Sequence, residues 1–304
     1  MKTGVAAFLL AAGACAWHGN VQAQQALVLD SWASDDADGS RVAKAGISLD
    51  WRHDDDRHYQ GLRLEQAWFD PAGGGAERRA SAYLRFAGSS AGHPAWRWKG
   101  RIGSDGHTWL GSASAVHDGA RRLELFLERE VVETPLGLER RIHYTYGGAA
   151  LDLPLGDDDM TVLLAGVQAF DGGNRRTHLR LRQVHVLSQA HGLSVQLRLR
   201  HARDSRPHSY DYYSPRWYAR VLPVLQWRRF SGGWQFRVAA GAGRQADADN
   251  GWRNARLLEA GVTSPADRPW SFDASLVHTD EPSGASGGGG YRYTQAMFTA
   301  TRRF

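Results

Sequence analysis

The sequence has no apolar run long enough for a membrane-spanning helix after its amino-terminal segment. Such a helix needs about 20 consecutive apolar residues, whereas the apolar stretches here are short and the mean hydropathy is -0.48. This absence excludes a helical membrane protein. It does not exclude a transmembrane β-barrel, because each barrel strand spans the bilayer with about 10 residues, half of them polar.

Cysteine is nearly absent as well, since Cys15 is the only one in 304 residues. It lies within residues 1–23, which have the pattern of a cleaved secretory signal peptide. Lys2 supplies the positive start, an apolar core follows, and Val21-Gln22-Ala23 precedes the expected cleavage site. We therefore expect an exported mature domain, 24–304, that contains no cysteine. Disulfide bonds and thiol catalysis are excluded for that domain.

From Ala26 onward the sequence shows no helical periodicity of useful length, and apolar and polar residues alternate instead. In the stretch 41–53, for example, Ile47 and Trp51 fall on one face while Lys44 falls on the other. A period of two residues is typical of a β-strand with one apolar and one polar face. About 16 such segments recur, separated by turn residues, and they predict an all-β fold.

The last segment, 293–304, alternates in the same way and ends on the aromatic residue Phe304. It resembles the closing strand of bacterial outer-membrane β-barrels, and this predicts that Phe304 helps the barrel-assembly machinery to recognise the chain. An even number of strands with both chain ends on the same side fits such a barrel. The sequence therefore predicts that residues 24–304 form a transmembrane antiparallel β-barrel of about 16 strands, surrounded by outer-membrane lipid.

Some connections and strands depart from this pattern. The stretches 204–214 and 279–290 predict long extracellular loops, whereas 148–159 predicts a long connection on the periplasmic side, where turns are usually short. The apolar face changes midway through 179–187, and Pro223 lies inside a predicted strand, where it forfeits a ladder hydrogen bond. We expect a β-bulge at each of these two places.

Tryptophan distinguishes a membrane barrel from a soluble sandwich or a lipocalin-like barrel, the two other all-β folds that the alternation allows. Most of the tryptophans lie on the apolar face, near segment ends, as do the aromatic girdles of membrane barrels. These residues are Trp51, Trp68, Trp96, Trp98, Trp109, Trp217, Trp227, Trp234, Trp252 and Trp270. Their placement favours the membrane barrel.

Two acidic clusters resemble metal sites only superficially. The run 53–58, His-Asp-Asp-Asp-Arg-His, lies at a predicted tight turn, where a solvated charged turn is the expected state. Asp247, Asp249 and Asn250 resemble part of a calcium loop, but the later glutamate that such loops use is missing. The sequence therefore predicts no metal and no cofactor.

Ser112, Ser114 and His117 suggest a barrel enzyme, because outer-membrane lipases and deacylases use Ser and His on barrel strands. No third orienting residue and no GxSxG elbow accompanies them. We therefore expect no enzyme activity, and an enzyme acting on lipid or lipopolysaccharide remains the alternative.

The polar face of the predicted strands is rich in cations, which would line the lumen. The predicted lumen-lining residues are Arg63, Glu65, Tyr83, Arg85, Arg97, Lys99, Arg101, Arg141, Arg180, Arg182, Arg198, Arg200 and Arg237. Some of these arginines would brace inward acids, for which Glu65, Glu124, Glu128 and Asp273 are the candidates. The excess of fixed positive charge favours anionic or neutral solutes over cations. Nucleic-acid binding does not explain the basic pI, because the chain is exported.

The stretch 210–230 is the most specific in the chain. A loop of Tyr212, Tyr213, Ser214 and Pro215 precedes a strand that ends on Trp227-Arg228-Arg229. With Gly241-Ala242-Gly243, Tyr291-Arg292-Tyr293 and Phe304, it resembles the carboxy-terminal barrel of the bacterial cellulose export porin. The resemblance to the poly-N-acetylglucosamine export porin is looser.

This resemblance covers 210–304 and implies a barrel of 16 strands through which an exopolysaccharide passes. Those porins carry tetratricopeptide repeats before the barrel, and this sequence contains none. The resemblance therefore implies a barrel domain standing alone, with a polysaccharide and a separate periplasmic repeat-scaffold protein as its expected partners. A general porin or a passive surface protein is the remaining alternative.

Overall fold

The structure is a computed structural model that describes residues 24–90, 96–266, 268–280 and 292–304. The predicted signal peptide and Tyr291 lie outside these residues. Sixteen antiparallel strands close into a barrel in which each strand pairs with the next and β1 pairs with β16. The elements are β1 (Ala26–Asp36), β2 (Arg41–Asp55), β3 (His58–Asp70), β4 (Glu77–Ser89), β5 (Trp96–Ser104), β6 (Trp109–Asp118), β7 (Arg122–Val131), α1 (Pro135–Glu139), β8 (His143–Pro154), β9 (Asp159–Phe170), β10 (Arg175–Ser188), β11 (Leu193–Asp204), β12 (Trp217–Ser231), β13 (Trp234–Asp247), β14 (Arg253–Thr263), β15 (Trp270–Thr279) and β16 (Tyr293–Arg303). The predicted all-β antiparallel barrel of about 16 strands is confirmed.

The barrel closes where its first and last strands meet. The ladder between β1 and β16 runs from Ala26 opposite Arg303 to Asp36 opposite Tyr293. Beyond it, the Phe304 N–H donates to the Gln25 carbonyl at 2.9 Å. We call the end of the barrel that holds Gln25 and Phe304 the terminal end, and the opposite end the far end.

The connections differ between the two ends. Described turns at the terminal end are short, such as 155–158 and 232–233. The two longest described connections, 132–142 and 205–216, both lie at the far end. No helix among the described residues is long and apolar enough to cross a membrane.

The predicted long connection at 148–159 is wrong. β8 continues to Pro154, and only residues 155–158 form the turn. Gly148 pairs with Phe126 on one side and with Gly166 on the other. A Cβ on Gly148 would lie 2.4 Å from the Ala165 carbonyl oxygen, so its lack of a side chain permits close strand approach rather than a turn.

Neither predicted β-bulge lies where the sequence suggested. β10 keeps one register with β9 from Arg175 to His185, and its register with β11 shifts only at its end, between Val186 and Ser188. At Pro223 the register with β13 is the same on both sides, and the ladder merely omits Leu222 and Pro223. Because proline has no N–H to donate, the barrel loses ladder bonds there without inserting a residue.

The outer face is apolar and exposed. Leu49, Leu64 and Leu84 are each about half exposed on the outside of the wall, which is what lipid contact requires of a barrel. Nine of the ten predicted girdle tryptophans lie close to strand ends on this face, and Trp252 lies in the turn just before β14. Trp51, Trp96, Trp98, Trp227, Trp234 and Trp270 lie near the terminal end, and Trp68, Trp109, Trp217 and Trp252 near the far end.

Phe304 is expected to matter for assembly rather than for stability. Phe304 is 67% exposed, so replacing it by aspartate removes little buried apolar surface. We expect Phe304→Asp to lower the amount of folded, heat-modifiable barrel in outer-membrane fractions several-fold, while refolding of the purified chain in detergent is unchanged. Phe230→Asp is the matched control, because Phe230 is 63% exposed at the same end. Normal assembly of the Phe304 variant would contradict the prediction.

Candidate functional site

The inner face of the wall is polar, and the structure places the predicted lumen residues on it with one exception. Eight of them line interior cavities: Arg63, Glu65, Arg85, Arg97, Lys99, Arg101, Arg180 and Arg200. Parity along the strands places Tyr83, Arg182, Arg198 and Arg237 on the same face. The exception is Arg141.

The predicted lumen position of Arg141 is wrong. Arg141 is exposed in the turn before β8 and has a φ of 54°. Tyr144 and Tyr146, whose parity is opposite to that of Arg141, line the interior instead. Tyrosine suits either face because its ring is apolar and its hydroxyl is polar. In the interior the Tyr144 hydroxyl donates to Glu128 Oε1 at 2.7 Å.

One half of the lumen wall neutralises its own cations. The Arg63 guanidinium binds both Asp30 carboxylate oxygens and donates to Glu65 Oε2. Arg101 lies 2.6 Å from Glu130, and its guanidinium stacks over the Tyr83 ring at 5.0 Å. We call this region, on β1 to β7, the paired wall.

Further ion pairs extend the paired wall towards the far end and the terminal end. Lys44 Nζ lies 2.6 Å from Glu133 Oε1. Arg85 lies 3.4 Å from the fully buried Asp50. Of the acids expected to brace arginines, Glu65 does so here, and Glu124 pairs with Arg122. Glu128 accepts from Tyr144 instead, and Asp273 accepts from the Thr263 hydroxyl at 2.7 Å.

Another part of the wall carries arginines that lie opposite arginines. We call Arg176, Arg180, Arg182, Arg198, Arg200 and Arg220, on β10 to β12, the arginine ladder. In the strand register Arg180 lies directly opposite Arg200, and Arg200 lies directly opposite Arg220. Arg182 lies opposite Arg198. Two like charges about 6 Å apart repel by about 3 kcal/mol at an effective dielectric constant of about 20, so this arrangement opposes folding.

Carboxylates compensate only part of the ladder. Arg176 lies 3.0 Å from Asp204, and Arg198 forms a two-pronged pair with Glu259 at 2.8 and 3.1 Å. Arg180 and Arg182 have no carboxylate within 4.0 Å among the described residues. The lumen therefore has a paired wall on one side and a net positive wall on the other.

Two segments fold inward at the far end and narrow the mouth. In 132–142, Leu138 of α1 is buried against inner-face residues that include Val42 and Phe69. In 205–216, Tyr212 stacks on the inner-face ring of Phe170, with centroids 4.3 Å apart. The sequence did not predict either inward fold, although it singled out the Tyr212 to Pro215 stretch.

The Asp211 carboxylate joins the two segments by hydrogen bonds. Asp211 accepts hydrogen bonds from the Thr134 hydroxyl and from the Leu136 N–H, both at 2.6 Å. The non-glycine residues with positive φ among the described ones are Arg141, His208 and Tyr210, and all three lie in these segments. Left-handed backbone of this kind persists only where contacts hold it.

Tyr213 anchors the second segment to the wall. Its hydroxyl donates to Asp247 Oδ2 at 2.7 Å, and its carbonyl accepts from the Arg176 guanidinium. Burial raises the pKa of the Tyr213 phenol, and the hydrogen bond to Asp247 raises it further. The phenol therefore stays neutral and keeps donating at physiological pH. Ser214 and Pro215 follow it, and the Ser214 carbonyl accepts from the His208 N–H at 2.9 Å.

Cavities connect the two ends of the lumen. A cavity of about 690 Å³ begins near Ser40 in a far-end turn and shares Arg63 with a second cavity of about 470 Å³. The second shares Lys99 with a third, of about 170 Å³, which reaches Arg57 in a terminal-end turn. Neighbouring cavities thus have lining residues in common from one end of the barrel to the other.

The structure does not bring the candidate nucleophile and base together. Ser112 and Ser114 lie on the inner face of β6 and line the second cavity. His117 is an odd number of residues away and therefore lies on the opposite face, with its ring 5.1 Å from that of Trp96. A serine on one side of the wall has no access to a histidine on the other.

The acidic clusters form turns. The described residues contain no group of His, Cys, Asp or Glu arranged to hold a metal ion. Asp247 accepts from the backbone N–H groups of Asp249 and Asn250 and from the Arg253 guanidinium. His53 Nδ1 lies 2.8 Å from the buried Asp50 Oδ2, and its Nε2 lies 3.8 Å from Asp56 Oδ1 of the same run.

Removing the carboxylate of Asp211 should release the second inward segment. Hydrogen bonds to a charged group contribute about 1.5–3 kcal/mol each. We therefore expect Asp211→Ala to raise the rate of trypsin cleavage after Arg216 roughly tenfold or more. Asp38→Ala, in an exposed far-end turn, is the control and should cleave at the wild-type rate. Equal rates for both variants would show that Asp211 does not hold the segment.

Comparison with known proteins shows the fold. A solved structure described as a bacterial polysaccharide outer membrane secretin matches with a TM-score of 0.68 at 16% identity, covering 94% of this chain and 100% of the other. OccAB3 of Acinetobacter baumannii matches with a TM-score of 0.46 at 10% identity, covering 93% and 100%. An anion-selective porin from Comamonas acidovorans matches with a TM-score of 0.42 at 11% identity, covering 92% and 98%.

No protein family and no curated protein matches the sequence. The structural likeness to the secretin is therefore one of backbone architecture at low sequence identity. It extends over nearly the whole chain rather than only over 210–304. The chain accordingly has the fold of a 16-strand outer-membrane β-barrel.

Proposed function

We propose that this chain is an outer-membrane pore through which a polysaccharide passes. The observation that carries the proposal is the series of adjoining cavities from Ser40 to Arg57, lined by both aromatic rings and polar groups. Trp32, Tyr144 and Tyr293 line it beside charged side chains. Sugars present apolar ring faces together with hydroxyl groups, so such a lining suits a carbohydrate chain.

The fold and the motif support the same proposal. The solved structure that matches this barrel is described as a bacterial polysaccharide outer membrane secretin. The stretch 210–230 resembles the barrels of exopolysaccharide export porins. In the proposed orientation the terminal end faces the periplasm, because outer-membrane barrels keep their short turns there. Barrel-assembly machinery and a separate periplasmic repeat-scaffold protein are the proposed protein partners.

Deleting the gene tests the export role. In a strain that secretes a polysaccharide, we expect deletion to abolish or strongly reduce secretion and the full chain to restore it when supplied from a plasmid. Unchanged secretion would overturn the proposal and leave a general porin for small solutes. An altered lipid profile in an overexpressing strain would instead favour a lipid-modifying enzyme.

A further inference from the structure

A side cavity of about 350 Å³ opens from the far-end part of the lumen. It shares Tyr144, Gln168 and Tyr213 with the large cavity. The arginine ladder contributes Arg180 and other members to its lining. We call it the arginine–tyrosine cavity, and its volume is at the lower end of the roughly 300–1,000 Å³ of small-ligand pockets.

Two polar atoms in this cavity lack hydrogen-bond partners in the part of the chain that the structure describes. The Tyr146 hydroxyl and His178 Nδ1 are buried, and neither has a hydrogen-bond partner among the described residues. His178 Nε2 lies 3.1 Å from Gln168 Oε1, so Nε2 carries the proton and Nδ1 is left as an acceptor. A ligand with hydroxyl groups would supply a donor to Nδ1 and a partner to the tyrosine.

The cavity also presents the positive charge of Arg180. Arg180 has no carboxylate within 4.0 Å among the described residues. The two carboxylates that line the cavity are already engaged, since Glu128 accepts from Tyr144 and Asp204 pairs with Arg176. Guanidinium groups bind carboxylates in two-pronged geometry, so an acidic ligand would meet a free partner.

From the ladder and the unpartnered hydroxyl-binding atoms together, we propose that the arginine–tyrosine cavity binds the acidic sugar units of an anionic polysaccharide. The uronate carboxylate binds Arg180, the sugar hydroxyls bind His178 and Tyr146, and the ring faces lie against the tyrosines. This inference rests on the proposed function and adds the charge of the polymer to it. Successive uronate carboxylates then pair with arginines of the ladder as the polymer moves past the narrowed mouth.

A pair of oligosaccharides with one backbone tests the proposal. The full chain in detergent is titrated calorimetrically with β-1,4-linked hexaglucuronate and with cellohexaose, which replaces each carboxylate by a hydroxymethyl group. We expect hexaglucuronate to bind at least tenfold more tightly than cellohexaose. Arg180→Gln should lower the affinity for hexaglucuronate about tenfold and leave that for cellohexaose unchanged, since a charged hydrogen bond is lost only with the acid.

The variants and outcomes separate this inference from the export role. Arg203→Gln, on the exposed outer face of the adjacent strand, controls for a general loss of positive charge and should bind as the wild type does. A heat-modifiable band on gels verifies that each variant is folded. Equal binding of the two hexamers, or binding of neither, would overturn the inference, whereas the export role fails only if secretion survives gene deletion. The inference would also be overturned if Arg203→Gln lost as much affinity for hexaglucuronate as Arg180→Gln does.

Discussion

Arg63→Met is expected to lower the free energy of unfolding by about 3–5 kcal/mol, the usual loss when one partner of a buried ion pair is removed. Arg63 is 9% exposed and is the shared partner of Asp30 and Glu65. Without it, these two carboxylates repel each other inside the wall. Urea titration of the barrel folded into lipid vesicles measures the difference.

Arg180→Met is the matched comparison and should not lower the free energy of unfolding. It makes the same replacement on the inner face, but it removes repulsion from Arg200 rather than a bond to an acid. We expect the free energy of unfolding to stay the same or to rise. Adding Asp30→Asn and Glu65→Gln to Arg63→Met should recover part of the lost stability. Equal losses for the two single variants would contradict the division of the lumen into a paired wall and an arginine ladder.

Charge reversal at Arg180 and Arg182 should reverse the ion preference of the pore. Two arginines with no carboxylate within 4.0 Å among the described residues become two glutamates, which changes the local charge from +2 to −2. Fixed charge in a narrow pore sets which ions accumulate there. In a planar bilayer with a salt gradient, we expect the zero-current potential to change sign, from anion preference in the wild type to cation preference in the double variant.

The control for this measurement lies on the outer face of β11. Arg203→Glu removes a positive charge and adds a negative one without changing the lumen, so the zero-current potential should keep the wild-type sign. If the double variant also kept that sign, the ladder would not govern ion passage.

The fold was predictable because a barrel wall imposes a local pattern on every strand. Each residue on the outer face must be apolar and each on the inner face is free to be polar, so alternation alone located most strands. Alternation does not predict the position of a residue that suits both faces of the wall or neither. The interior position of Tyr144 and Tyr146 does not follow from alternation, because a tyrosine ring is apolar and its hydroxyl is polar. Gly148 has the composition of a turn residue, but it lies in a strand where close packing requires a glycine.

The site was less predictable because its contacts join residues far apart in the sequence. Alternation places both Arg63 and Arg180 on the inner face. It does not predict that Arg63 lies beside acids whereas Arg180 lies beside an arginine. Those neighbours follow from strand register, which the sequence pattern leaves open. The inward fold of 205–216 depends on Asp211 meeting Thr134, and nothing local to either residue indicates the other.

The passage of polysaccharide through this lumen is tested most directly by blocking the lumen with a chemical label. The chain from 24 to 304 has no cysteine, so Met297→Cys places a single thiol in the lining of the cavities of about 470 and 690 Å³, which Arg63 also lines. In a polysaccharide-secreting strain that carries this variant as its only copy, we expect a bulky maleimide to stop secretion. The same labelling of Asp38→Cys, in an exposed far-end turn, should leave secretion unchanged. Undiminished secretion from fully labelled Met297→Cys would contradict the account.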